Sequence, residues 1–301
     1  MERRDAHGED EHDHRNHVKH DYDVKHDYDA LSEGTMRARA CSKWQHHPPE
    51  VLPLWVADMD FPVAEPVKAA LREHAGGDNF GYPPAGGLPG LREAVAAHWA
   101  ERHGLALEPE RFAAMNGIVP GLFMSVMALS APGDEVLMCT PIYGPFLMAC
   151  EKTGRRAVQV PLVRAGASWD LDLDALEEAV TPATRILMLC NPHNPVGRVF
   201  RAEELAALAE LALRHRLWVV SDELHADLVF AGARHLPFAA LSSEVGARTL
   251  TLLGPTKAFN IAGLKIGFAA SHDPRLLERV SGAGAGLVGA PNVLAQAAAI
   301  A

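Results

Sequence analysis

Three side chains with the potential to do chemistry lie in order along this chain: Asn194, Asp222 and Lys257. A lysine amine is a nucleophile that can form a Schiff base with an aldehyde, and apolar surroundings favour its neutral, reactive form. A carboxylate at the end of an apolar strand needs a cationic or donor partner. A surface lysine and a turn or capping aspartate are the simpler interpretations, but the three residues together favour a chemical role.

This set of residues meets the needs of one cofactor, pyridoxal 5′-phosphate (PLP). The amine of Lys257 would attach to the cofactor, the carboxylate of Asp222 would support the protonated pyridine nitrogen, and the amide of Asn194 would donate to the 3′ oxygen. Tyr143 lies in a rigid turn, TPIYGP at 140–145, and could stack on the ring. A core or turn aromatic is the alternative for this tyrosine.

A phosphate group needs its own binding site, and one glycine offers the start of it. Gly117 and Ile118 precede an apolar stretch at 122–129 with a helical pattern. Backbone N–H groups at a helix start bind phosphate, and a glycine permits close approach. Thr256 could add a hydroxyl and Lys265 a point charge. The glycine alone is a weak signal, because many glycines precede helices.

The elements that must position these residues alternate between helix-like and strand-like patterns. Helices are predicted at 91–103 and 202–216, and strands at 135–139, 185–190, 217–220, 248–253 and 264–270. Such alternation implies right-handed βαβ units, and therefore an α/β fold with a mostly parallel central sheet flanked by helices. Ligands of such sheets bind beyond the carboxyl ends of the strands. Residues 191–194, 222 and 257 all fall at or just beyond strand ends.

Composition excludes several classes of protein. The 301 residues are 48% hydrophobic and carry a net charge of −10, which argues against a nucleic-acid partner. No apolar run approaches a membrane span, and the polar start of the chain argues against a secretory signal. The four cysteines lack metal-ligand spacing, so we predict reduced thiols, a cytoplasmic protein and no metal site.

Residues 1–28 differ from the remainder of the chain. They hold six histidines, many acidic residues and almost no aliphatic ones. Such a segment cannot bury enough apolar area to offset its ordering entropy, so a disordered tail is predicted. A histidine-rich metal-loading tail is the alternative, although no fixed ligand spacing supports it.

Several stretches of sequence resemble one enzyme family, from about residue 28 to the end of the chain. They are LWVADMDF at 54–61, FGY at 80–82, NPHNPVGRVF at 191–200, SDELHAD at 221–227 and KAFNIAGL at 257–264. The chain resembles fold-type I PLP-dependent enzymes of the class I/II aminotransferase superfamily. Within that superfamily it is most similar to the cystathionine β-lyase (C–S lyase) branch, the MalY/PatB-like group.

The resemblance implies roles for individual residues. Lys257 would be the catalytic lysine that binds PLP covalently, and a homodimer with shared active sites would be expected. Tyr82 would reach the phosphate of the neighbouring subunit's cofactor, and His225 stands where aminotransferases usually carry a tyrosine. The other implied cofactor-binding residues are Gly117, Ile118, Tyr143, Asn194, Asp222, Thr256 and Lys265.

The resemblance also implies a domain plan and an activity. After residues 1–28, a small-domain segment is expected at 29–60, the large PLP-binding domain at 61–280, and the start of a return to an incomplete small domain at 281–301. Members of the family are longer, so an arginine that binds the substrate carboxylate would be missing. The expected activity is α,β-elimination of L-cystathionine or related S-substituted cysteines. An aminotransferase, or an impaired fragment with a binding or regulatory role, is the alternative.

Overall fold

A seven-stranded sheet forms the centre of the protein in the computed structural model, which describes residues 31–301. The predicted tail at 1–28 lies outside the described residues. Two further short strands pair with each other outside this sheet. The strands are β1 (Phe112–Met115), β2 (Glu135–Thr140), β3 (Arg156–Pro161), β4 (Val163–Ala165), β5 (Ser168–Asp170), β6 (Thr184–Cys190), β7 (Trp218–Asp222), β8 (Thr249–Leu253) and β9 (Gly267–Ala270).

The order of the large sheet is β1-β9-β8-β7-β6-β2-β3. Strands β3, β2, β6, β7 and β8 pair in parallel, whereas β9 is antiparallel to both β8 and β1. The prediction of a mostly parallel sheet is therefore confirmed. All five predicted strands are present, and their ends either coincide with the prediction or differ from it by at most three residues.

Helices cover both faces of the sheet. They are α1 (Glu33–Arg37), α2 (Ser42–Gln45), α3 (Glu65–Ala75), α4 (Leu91–His103), α5 (Ile118–Leu129), α6 (Gly144–Lys152), α7 (Leu173–Glu178), α8 (Ala202–Arg214), α9 (Ser243–Ala247), α10 (Pro274–Ala283) and α11 (Val293–Ile300). No helix among residues 31–301 is long and apolar enough to cross a membrane.

Alternate residues of the central strands pack on opposite faces, which explains their continuous apolar runs. In β6, Ile186 and Met188 face the core formed with α5, α6 and α10. Leu187 and Leu189 face a second core formed with α7, α8 and α9. A strand segment that is buried on both faces needs apolar residues at successive positions, as residues 186–190 of β6 show.

One predicted strand begins later than expected. The strand predicted from residue 264 starts at Gly267, because Ala262–Leu264 form a turn of 3₁₀ helix that ends at Lys265 in the left-handed region, with φ of 54°. A residue in that conformation cannot continue a strand. The turn places the Lys265 side chain beside the carboxyl ends of the strands rather than inside the sheet.

Candidate active site

A cavity of about 870 Å³ lies at the carboxyl ends of the parallel strands. Nine of the ten predicted cofactor-binding residues line it: Gly117, Ile118, Tyr143, Asn194, Asp222, His225, Thr256, Lys257 and Lys265. Residues from five separate segments therefore meet at one place, as the rule for open α/β sheets requires. Tyr82 does not line this cavity and is fully exposed.

Asp222 is the last residue of β7 and lies buried at the floor of the cavity. Burial, with a contribution from the neighbouring charge of Glu223, raises the pKa of the Asp222 carboxyl to about 7. Its Oδ1 accepts a hydrogen bond from the backbone N–H of Leu224 at 3.1 Å. A desolvated carboxylate with so little support is suited to a cationic partner such as a protonated ring nitrogen.

Lys257 follows β8 and projects into the same cavity. Burial lowers the pKa of its amine, while the negative charges of Asp58 and Asp222 oppose that shift. The Nζ donates a hydrogen bond to the carbonyl oxygen of Ala57 at 3.0 Å. A partly desolvated amine of this kind has a larger neutral fraction than an ordinary lysine, and nucleophilic chemistry needs the neutral form.

His225 lies half-buried in the loop after β7 and also lines the cavity. Burial, and then the nearby charge of Lys257, lower the pKa of its imidazole. The ring is therefore neutral near pH 7 and can donate from one nitrogen and accept at the other. A cofactor oxygen or a substrate group next to Lys257 would be within its reach.

Tyr143 and Asn194 lie in two turns that a buried histidine holds together. The Nδ1 of His193 lies 3.1 Å from the carbonyl oxygen of Cys190, and its Nε2 lies 2.8 Å from that of Pro141. The ring thus spans the distance between the turn of Tyr143 and the turn of Asn194. The sequence pattern gave no reason to single out His193, which acts by positioning these turns.

The start of α5 provides a site for an anion. Gly117 is its N-cap, with φ of 92° and no side-chain cap, and open space surrounds the position of a Cβ. The N–H groups of the first turn are therefore free of a capping side chain at the edge of the cavity. The buried Thr256 and the charged Lys265 line the same cavity. This donor set fits a phosphate group, so the cavity fits PLP.

A segment that the site prediction did not include closes one side of the cavity. Trp55, Val56 and Ala57 line it, and we call residues 55–61 the strap. Asn260 holds the strap: its Oδ1 accepts from the N–H of Met59 at 3.1 Å, and its Nδ2 donates to the carbonyls of Met59 and Phe61 at 2.9 and 2.8 Å. These contacts join residues about 200 positions apart in the chain.

The strap has a second anchor near the N-terminal helices. Asp60 accepts from the Nζ of Lys43 at 2.7 Å and from the indole N–H of Trp44 at 2.8 Å. Lys43 is itself buried and also donates to the carbonyl of Asp58 at 2.8 Å. Residues of α2 therefore fix the strap at Asp58 and Asp60, toward the end that is farther from Trp55 in the sequence. The local text of residues 54–61 supported a family resemblance, but it did not predict these contacts.

Comparison with known proteins adds to this geometry. The profile of the aminotransferase class I and II family matches residues 49–301. Cystathionine beta-lyase PatB of Bacillus subtilis (strain 168) is 40% identical over 217 residues, which make up 72% of this chain and 56% of that protein. The probable N-succinyldiaminopimelate aminotransferase DapC of Mycobacterium tuberculosis (strain ATCC 25618 / H37Rv) is 42% identical over 204 residues, 67% of this chain and 51% of that protein.

The fold of the chain is also similar to that of solved structures. The PLP-bound C-S lyase from Staphylococcus hominis matches with a TM-score of 0.83 and 31% identity, over 93% of this chain and 71% of that one. The chain spans between about half and three fifths of the length of the two curated relatives.

Proposed function

The chain belongs to the aminotransferase class I and II family, whose cofactor is PLP, and from this premise we propose that it is a carbon–sulfur β-lyase. Its substrate would be L-cystathionine or a related S-substituted cysteine. The observation that carries this proposal is His225, which lines the cavity beside Lys257 where aminotransferases of the family usually carry a tyrosine. Relatives named cystathionine beta-lyase and C-S lyase support it.

The cofactor supplies an electron sink that stabilises negative charge at the substrate Cα. Lys257 would hold it covalently, and the carboxylate of Asp222 would pair with its ring nitrogen. Tyr143 would lie against one face of the ring, and Asn194 would donate to its 3′ oxygen. The uncapped first turn of α5 would bind its phosphate with Thr256 and Lys265.

The proton transfers fall to Lys257. With the cofactor bound, its amine would take the proton from the substrate Cα as a general base. Burial lowers the pKa of this amine and so increases the neutral fraction that can accept that proton. The β-carbon–sulfur bond breaks and its electron pair leaves with the thiolate. Hydrolysis of the remaining three-carbon fragment gives pyruvate and ammonia.

A second copy of the chain would complete the site in this proposal. Large apolar side chains lie exposed near the strap and before α4, among them Leu54, Phe80 and Tyr82. Exposed apolar patches of this kind are typical of surfaces that bind another protein. Tyr82 would then extend to the partner's phosphate site. The domain boundaries near residues 60 and 280 likewise stay proposals.

An aminotransferase is the second candidate, because the probable aminotransferase DapC is 42% identical to this chain. The two activities share the proton removal by Lys257 and differ in what happens next. A lyase would release the β-substituent with pyruvate and ammonia, whereas an aminotransferase would release a keto acid and pass the amino group to a second keto acid. His225 and the strap favour the lyase.

The test is an assay of the PLP-loaded chain with L-cystathionine. Pyruvate and free thiol are measured, and amino transfer to a keto acid is followed in parallel. We expect pyruvate formation that is lost in Lys257→Ala and kept in Lys152→Ala, an exposed lysine of α6. Amino transfer without pyruvate would reverse the order of the two candidates. Neither activity, with PLP still bound at Lys257, would favour the impaired fragment.

A further inference from the structure

A second cluster of reactive side chains lies outside the cofactor cavity, between α4 and the loop after β7. Asp227 is its centre: its Oδ1 lies 3.1 Å from the Nε2 of His98 and 2.9 Å from the Nε2 of His103. The three potential ligand atoms all lie within 4.8 Å of one another. His98 and His103 belong to the same helix, five residues apart, a spacing that sequence patterns do not single out.

This arrangement has the donor set of a transition-metal site. Two imidazole nitrogens and one carboxylate oxygen are ligands that Zn²⁺ prefers, at bond lengths of about 2.0–2.2 Å. In tetrahedral coordination at these bond lengths, two ligand atoms lie about 3.3–3.6 Å apart. Side-chain rotations that move the ligand atoms by about an ångström would bring the three donors to that geometry. Because three ligands leave a tetrahedral ion one coordination position short, a water molecule would complete it.

The surroundings keep one ligand fixed and leave another accessible. His103 is buried, and its ring packs against Trp99 with centroids 4.7 Å apart. His98 is 38% exposed, so an ion can reach the cluster from solvent. The nearest cation is the Nε of Arg102, at 3.7 Å from Asp227, and that side chain is exposed enough to swing into solvent.

The cluster also borders a cavity of its own. His98 and Asp227 line a space of about 240 Å³ whose other walls are mostly apolar, including Val95 and Phe268. Low-polarity walls strengthen the attraction between a cation and its ligands.

We propose that His98, His103 and Asp227 form a binding site for one divalent transition-metal ion of the zinc class. The ion would cross-link the C-terminal part of α4 to the loop that follows Asp222 and carries His225. It would therefore brace the loop that supports the cofactor without touching the reacting atoms. The inference does not depend on whether the proposed activity is elimination or amino transfer.

The test is thermal unfolding of the full, PLP-loaded chain with and without ZnCl₂. At a free zinc concentration a hundredfold above Kd, we expect Tm to rise by about 5 °C, because the ion binds the folded site. His98→Gln should lose most of that rise, since it removes one ligand from an accessible position. Asp227→Asn is the second variant. His215→Gln, which removes a histidine that contacts Glu177 outside the cluster, should keep the rise.

The histidines of residues 1–28 also attract zinc, so the comparison among variants decides the outcome. All variants carry those residues, and their contribution cancels. Equal rises in the wild type, His98→Gln and Asp227→Asn would overturn the proposal, as would the absence of any rise in the wild type. With Co²⁺ as the probe, a visible absorption band present in the wild type and missing in both variants would support the site directly.

Discussion

Asp222→Asn should stabilise the cofactor-free protein at neutral pH while weakening PLP binding. The Asp222 carboxyl is buried, and burial raises its pKa from an ordinary value of 3.8 to about 7. In the unfolded chain it ionises near its ordinary value. The folded chain therefore holds a proton between these two pH values that the unfolded chain has released. The contribution of Asp222 to the free energy of unfolding therefore falls as pH rises through this window and is constant above it.

The size of the effect follows from the shift. Because the pKa of Asp222 is displaced by about three units, the folded chain loses about 4 kcal/mol of unfolding free energy above pH 7. Part of that loss is already present at pH 4.5, so about 3 kcal/mol should develop between pH 4.5 and pH 8. Asparagine has nearly the same shape and does not ionise, so its variant escapes this loss.

Urea unfolding of the cofactor-free chain at the two pH values measures the prediction. The advantage of Asp222→Asn over the wild type should grow by about 3 kcal/mol from pH 4.5 to pH 8. Asp174→Asn, at an exposed position of α7, shows what the loss of a surface charge does alone. A constant difference between wild type and Asp222→Asn would refute the reasoning. Added PLP should stabilise the wild type more than the variant, because only the carboxylate pairs with the ring nitrogen.

Three further outcomes follow from individual residues of the structure. Asn260→Gly, which keeps the left-handed backbone (φ 55°) but loses three hydrogen bonds to the strap, should cost about 2–3 kcal/mol in urea unfolding and weaken PLP binding. At pH 8 a thiol reagent should modify Cys41 in the folded chain and the three buried cysteines only after unfolding, because burial raises their pKa, for Cys139 to about 12. Gly246→Ala should cost about 1–3 kcal/mol in thermal unfolding, because its Cβ would lie 2.8 Å from the carbonyl of Ala239, whereas Gly282→Ala in α10 has open space and should not destabilise.

Sequence patterns were sufficient to predict the elements whose residue types follow a local pattern of apolar and turn residues. The apolar run of β6 needs burial on both faces, and its flanking turn residues mark its ends, so strand and turn could be predicted together. Asp222 and Lys257 could be placed at one edge because parallel strands end at the same edge of a sheet. The cavity confirms that they lie together, while their chemical roles remain proposals.

Contacts between distant segments could not be predicted in this way. The sequence marks Asn260 only as a loop residue. Its hydrogen bond with Met59 depends on a fold that brings together two residues about 200 positions apart. The contacts of His193 and of the cluster around Asp227 likewise join segments that are distant in the sequence. Their partners are set by the packing of helices and turns onto the sheet, which no local periodicity records.

The strap has a consequence for how the protein is made. Its residues leave the ribosome about 200 positions before Asn260 and Lys257, the partners that hold it. At translation rates of about 5–20 residues per second, that interval lasts roughly 10–40 s. Until it ends, Trp55 and Val56 have no opposite wall of the cavity to contact, and their apolar surface is open to chaperones or to other nascent chains. Cofactor capture is therefore a late event in the synthesis of this chain, because the two halves of the cavity are made at different times.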